Sequence, residues 1–183
     1  MLRQVLLCVL IVLCAPNFAQ AQRPRRSRPP EERTFGGEDR MKRRVPLPRE
    51  VLQILSRDED VRERCLGQNG PGRLEGSSFQ ASRISLNDKG ALGLIVDSLP
   101  LSQCYVGGAN TNRFWIFYRT PQGYRLVFDA HGHEVDILRT KTNGFYDIRT
   151  GYVIGPDVWF ELYTFDGTQY KESRSWKEAI KGE

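Results

Sequence analysis

Residues 79–86 (FQASRISL) alternate apolar and polar side chains, and a period of two predicts a β-strand with one buried face. Residues 92–96 (LGLIV) form a short apolar run. Residues 113–119 (RFWIFYR) are apolar at both parities, which predicts a central strand covered on each side. Further strands are expected over 124–129, 134–140, 146–154, 158–165 and 168–173. The segments between them carry turn chemistry: Pro121-Gln122-Gly123, Ala130-His131-Gly132, Asn143-Gly144, Gly155-Pro156 and Asp166-Gly167. Asp166-Gly167 reads as a two-residue hairpin turn, because both residues tolerate positive φ. Strands joined so tightly are antiparallel, so the expected fold is α+β and predominantly β, an antiparallel meander of about seven to eight strands.

Upstream the period changes. Pro48 suits a first helical turn, and Val51, Leu52, Ile54 and Leu55 form an apolar face behind it. Ser56 and Glu59 have capping-box spacing, so a second short helix is expected from Arg57 to about Cys65. Gly67, Gly70, Pro71 and Gly72 then end helical structure. These are the two short N-terminal helices of the expected fold. Residues 176–181 (WKEAIK) read as a short closing helix.

The first residues change the picture of where this fold works. Arg3 precedes an uninterrupted apolar run at 5–15 (VLLCVLIVLCA), Pro16 breaks it, and Ala19-Gln20-Ala21 supplies small residues at the positions a signal peptidase reads. The expectation is a secretory signal peptide at 1–21, with cleavage after Ala21. The eleven apolar residues fall short of the roughly 20 that span a bilayer. No transmembrane anchor is therefore expected after processing, and the expected location is secreted or periplasmic.

Charge divides the remainder. Residues 22–44 carry nine Lys/Arg against four Asp/Glu, a net of +5, whereas 45–183 carry 17 against 18, a net of −1. The alkaline balance therefore belongs to the tail, and a specific nucleic-acid partner is not expected of the nearly neutral remainder. Residues 22–46 read as a basic, Pro-rich disordered linker, and 47–183 as a single mostly-β domain. The 22–44 tail could also tether an envelope polyanion or protein electrostatically. Cys65 and Cys104 outlast the leader, and in an oxidising compartment such a pair is most simply a disulfide.

Candidate chemistry is sparse. In Asp129-Ala-His-Gly-His-Glu134, His131 and His133 with a flanking carboxylate could hold a metal, but the run reads better as a solvated turn. There is no Gly-x-Ser-x-Gly elbow and no phosphate-cradling loop. Asp129, Asp136, Asp147, Asp157 and Glu161 are scattered along strands, as solvated surface acids are. Residues 85–96 (SLNDKGALGLIV) have the outline of a calcium loop, with Ser85, Asn87 and Lys89 at its first, third and fifth positions and Gly90 at the turn. A lysine where a carboxylate should stand predicts the shape of such a loop without the ion. No metal, cofactor or catalytic residue is assigned. Aromatic side chains are dense on the strands, as core or as a binding surface. On the 158–165 strand, Val158, Phe160 and Leu162 share one face, and Trp159, Glu161, Tyr163 and Phe165 the other. Trp159, Glu161 and Tyr163 are the candidate surface site.

The order of these features resembles a family of uncharacterised bacterial exported domains. Its pattern has a helical pair ending in cysteine (Cys65), a calcium-loop-like turn (85–96) and a second cysteine (Cys104) before Gly108-Ala109-Asn110. A Phe-Trp-Ile-Phe strand (114–117), Gly-Tyr-x-Leu (123–126), Asn-Gly-aromatic-x-Asp-Ile (143–148) and a Phe-Asp-Gly-x-x-Tyr hairpin (165–170) complete it. The likeness covers 47–170 and implies an address outside the cytosol and a fold, without an activity. The functional expectation is an exported non-enzymatic binding or accessory protein of the cell envelope. The alternative is a small secreted hydrolase, or an inhibitor of an envelope hydrolase.

Overall fold

The computed structural model describes residues 33–36, 41, 43–66, 74–100, 102, 104–108 and 111–180. The leader through Ala21, most of the 22–44 tail and the glycine-rich 67–73 lie outside the described residues. In chain order the strands are β1 (Arg33–Gly36), β2 (Phe79–Ser85), β3 (Leu92–Ser98), β4 (Asn112–Thr120) and β5 (Gly123–Gly132). They continue with β6 (Glu134–Thr142), β7 (Phe145–Ile154), β8 (Asp157–Phe165) and β9 (Tyr170–Ala179). Helices α1 (Arg49–Leu55) and α2 (Glu59–Val61) stand between β1 and β2, α2 running into a π-helical turn at Arg62–Leu66.

The protein is mainly β and antiparallel, and the meander is present. It is divided into two sheets, ordered β2-β3-β4-β5 and β1-β6-β7-β8-β9. The division falls at His133. β5 stays paired to β4 as far as Gly132, β6 takes up β7 from Glu134, and the His133 amide donates to the Gly151 carbonyl at 2.7 Å. The expected hairpin at Ala130-His131-Gly132 is thus a corner between sheets. An apolar sheet face needs a covering layer, and folding the meander on itself supplies one. Phe114 and Ile116 of β4 join Phe128, Val135, Ile148 and Tyr170 in the core between the sheets.

The opposite face of β4 meets the helices. Trp115 and Phe117, both fully buried, pack with Val51 and Leu55 of α1, Val61 of α2 and Cys104. The strand predicted to be covered on both sides is so covered, and the layers run helices, four-stranded sheet, five-stranded sheet. The Cys65–Cys104 disulfide ties the turn after α2 to the β3–β4 connection.

Local chemistry explains the joints. Asn143 (φ 51°) and Gly144 (φ 79°) both take positive φ in the two-residue turn between Thr142 and Phe145, where most side chains would be strained. Strand β8 ends at Phe165 and β9 begins at Tyr170, so Asp166-Gly167 belongs to a four-residue connection. The Asp166 carboxylate closes it by accepting the Thr168 and Gln169 amides at 2.7 and 2.8 Å. The second helix is capped by Asp58, whose carboxylate accepts the Val61 amide at 3.1 Å. Ser56 was the expected cap; its hydroxyl instead donates back to the Gln53 carbonyl. Asp58 wins because it immediately precedes the first helical residue.

Two further expectations are corrected. The end of the chain from Trp176 continues β9 as far as Ala179, since the open edge of β8 offers a full ladder that outweighs local helical preference. The 22–46 stretch read as disordered linker already belongs to the fold in part: β1 pairs with β6, Phe35 and Met41 enter the inter-sheet core, and Arg44 bridges Ser82. Four residues are too short to announce themselves, but the free edge of β6 gives them a partner. Phe35→Ala should accordingly destabilise the protein by about 3 kcal/mol, measured by urea unfolding. An unchanged midpoint would return this stretch to a spacer.

Candidate functional site

The pairing of β7 with β8 decides which face of β8 looks inward. Ile148 and Thr150, both fully buried, lie opposite Tyr163 and Glu161, so Trp159, Glu161 and Tyr163 point toward the four-stranded sheet. Tyr163 meets Phe128 edge-on, with ring centroids 5.0 Å apart. Glu161 is a hub: it accepts from the Tyr163 hydroxyl at 2.6 Å, the Tyr152 hydroxyl at 3.0 Å and the Thr150 hydroxyl at 3.3 Å. Burial first, and then the bond to Glu161, push the Tyr163 and Tyr152 phenols above their ordinary range. The structure brings the predicted residues onto one face, but Glu161 and Tyr163 serve the sandwich interior there. Trp159 lies further along, half-buried.

The apolar set on the same strand, Val158, Phe160 and Leu162, is the one that looks outward. Phe160 stacks on Trp176 of β9 (centroids 5.4 Å apart, planes 27° apart). The Arg149 guanidinium lies 5.2 Å from the Phe160 ring centroid, and that of Arg174 lies 5.2 Å from the Trp176 ring. Asp136 aims Arg149 by accepting from Nε at 3.0 Å and Nη2 at 2.7 Å, and Asp136 is steadied by the Thr34 hydroxyl at 2.6 Å. Gly151 lets the ring lie flat: a Cβ there would stand 3.2 Å from Phe160. Trp176 Nε1 donates to Glu178 at 2.9 Å. The result is a ladder of cation, ring, ring and cation across β7, β8 and β9. Val158, Phe160, Leu162 and Trp176 all stay partly exposed and belong to neither buried cluster.

The residues of the calcium-like loop turn out to hold the fold together. In the calcium-like loop Asn87 accepts the Lys89 and Ala91 amides, each at 2.9 Å, so its oxygen faces the protein's own backbone. Asp88 binds Lys141 and the Tyr146 hydroxyl. Those hydrogen bonds hold its carboxyl below the ordinary range, while burial and then Asp88 push Tyr146 up to about 12. An open groove of about 490 Å³ beside this loop is lined by Lys89, Leu92, Tyr118 and Arg119. His131 and His133 are both exposed. Among the described residues no group of three or more His, Cys, Asp or Glu is placed to hold a metal ion. Among them, too, no helix is long and apolar enough to cross a membrane.

The site therefore belongs to a disulfide-bonded, antiparallel β-sandwich with an aromatic and cationic strip on its outer sheet. Comparisons with protein-family models, with curated proteins and with solved structures found no match.

Proposed function

We propose that this chain is an exported, non-enzymatic binding domain of the cell envelope, and that the outer face of β7, β8 and β9 is its contact surface. The observation that carries the reading is the Phe160–Trp176 stack between Arg149 and Arg174, which no described core cluster covers. An outward sheet face is ordinarily polar, and Trp and Arg side by side are enriched where binding energy concentrates. The export half is supported by the leader pattern, by the disulfide, which persists in oxidising compartments, and by the resemblance to bacterial exported domains. The tether reading of the tail narrows to 22–32, where Arg23, Arg25, Arg26 and Arg28 stand with Glu31 and Glu32.

A hydrolase would need a carboxylate or histidine free to move a proton. Four of the acids it would draw on are held by partners: Asp129 by Arg113, Asp136 by Arg149, Asp157 by Lys177 and Glu161 by three hydroxyls. Those four are committed to the fold, which favours recognition; Asp147, buried with Oδ1 unpartnered among the described residues, and the exposed His131 and His133 are not held in this way.

The test is quantitative capture from envelope extract on the immobilised, oxidised chain, compared with Phe160→Ala and Trp159→Ala. Phe160→Ala should weaken retention of the captured partner roughly tenfold, as the loss of a binding hot spot does. Trp159→Ala should leave it unchanged. Loss with Trp159→Ala alone would move the surface to the inner face. Equal retention by all three proteins would remove it from β8.

A further inference from the structure

The five-stranded sheet has two edges of unequal character. β1 is four residues long, whereas β9 runs for ten, from Tyr170 to Ala179, and no described strand pairs with its outer side. The edge of β2 is met by the chain itself, through the Arg44–Ser82 bridge and the Val45 amide on the Ala81 carbonyl at 2.9 Å. A long, uncovered edge is a template for another strand.

The direction of the β9 backbone groups follows from one bond. The Ile180 amide donates to the Pro156 carbonyl at 2.9 Å, continuing the register in which Ala179 lies opposite Asp157. Hydrogen-bonded and non-hydrogen-bonded pairs alternate in an antiparallel ladder. Glu178 and Trp176 therefore turn their N–H and C=O toward β8, and Ser175, Lys177 and Ala179 turn theirs to the open side. The side chains of Arg174, Trp176 and Glu178 lie together on the outer face with Phe160.

We propose that β9 pairs antiparallel with β9 of a second copy of this chain about a two-fold axis at Trp176, joining two five-stranded sheets into one. In this register Ser175 and Lys177 exchange backbone hydrogen bonds with Lys177 and Ser175 of the partner subunit. Trp176 lies opposite Trp176 of the partner subunit at a non-hydrogen-bonded position, where side chains approach most closely. Arg174 lies opposite Glu178 of the partner subunit, and Glu178 opposite its Arg174, so charge is matched twice. Other registers fail this match, and the one centred on Ser173, which would also oppose Arg174 and Glu172, falls on the bulge where the regular alternation of β9 breaks. Centring on Arg174, Lys177 or Glu178 sets like charges directly opposite, and centring on Ser175 brings Glu178 against Glu172 of the partner subunit. The charges that would otherwise protect this edge are self-complementary in one alignment. The two Phe160–Trp176 stacks then meet across the seam. The pairing rests on the strand edge and is independent of what the outer face binds.

The experiment is sedimentation velocity of the purified, oxidised chain over the micromolar to millimolar range. The wild type should show a monomer–dimer equilibrium. Lys177→Pro removes an outward N–H and no backbone bond to β8, losing besides only the exposed ion pair to Asp157, a change an edge strand tolerates. It should weaken the dimer roughly tenfold or more, because each copy loses a donor, with the far-UV spectrum and melting curve retained. Arg174→Glu should likewise yield monomer, and adding Glu178→Arg should restore the dimer by matching the charges in reverse. A wild type monomeric across the whole range, or a Lys177→Pro variant that dimerises as tightly as wild type, overturns the proposal.

Discussion

Replacing both Cys65 and Cys104 by alanine should lower the free energy of unfolding by about 4 kcal/mol on the chain-entropy model. The two positions are 39 residues apart in sequence, so the bond removes a large closed loop from the freedom of the unfolded chain. It also holds a packing layer in place. Val51, Leu55 and Val61 lie against Trp115 and Phe117 on one side of β4, and the turn at Arg62–Leu66 that follows them carries Cys65. Without the bond, that layer depends on apolar contact, the Arg113 clamp and the Tyr124 amide held by Glu50 of α1 at 2.8 Å. Urea unfolding of the native and the dialanine proteins measures the difference. Reductant should shift the native protein to the same midpoint, and two alkylatable thiols in natively purified material would show that the bond is absent.

Arg113→Met should cost about 3 kcal/mol, the low end of the range for removing one partner of a buried ion pair, because the guanidinium is nearly covered while Asp60 and Asp129 stay exposed. The Arg113 guanidinium binds Asp129 at 2.6 and 2.8 Å, Asp58 at 2.7 and 3.0 Å and Asp60 at 2.6 Å, and lies 5.3 Å from the Trp115 ring centroid. Its side chain is only 11% exposed. Burial disfavours its charge, but the bonds to Asp129 and the field of Asp58 outweigh this and hold its pKa above the ordinary value. Methionine would fill the volume yet leave three carboxylates facing one another. Asp58 would lose its cation while still capping α2. Arg113→Lys keeps a charge but not the planar fork that reaches three acids at once, so it should fall between the two. Unfolding measurements on Arg113→Met, Asp58→Asn and the double variant should be strongly non-additive. A loss below about 1 kcal/mol would put this cluster in the class of weak surface pairs.

The strands from β2 to β8 were legible because each satisfies local rules independently of the rest. Alternation in FQASRISL, the two-sided apolarity of RFWIFYR and the Asn-Gly turn all act over a few residues. Failures came where a distant partner decided. Arg33–Gly36 is a strand only because β6 has a free edge, and WKEAIK is extended because β8 offers one. The candidate face on β8 failed for a related reason. With Trp159 and Tyr163 at one parity and Phe160 and Leu162 at the other, hydropathy cannot choose the buried side. Only the pairing with Ile148 and Thr150 does.

The sequence by itself determined the class of fold and most of the strand boundaries, since these depend on periodicity and turn residues; it made Cys65–Cys104 the expected pair, and the fold brings those two together. Tertiary structure decided where the meander breaks into two sheets, which side of β8 meets solvent, and that Arg149, Phe160, Trp176 and Arg174 line up across three strands. Burial is a property of the packed whole: a side chain becomes core or surface only when another layer arrives to cover it.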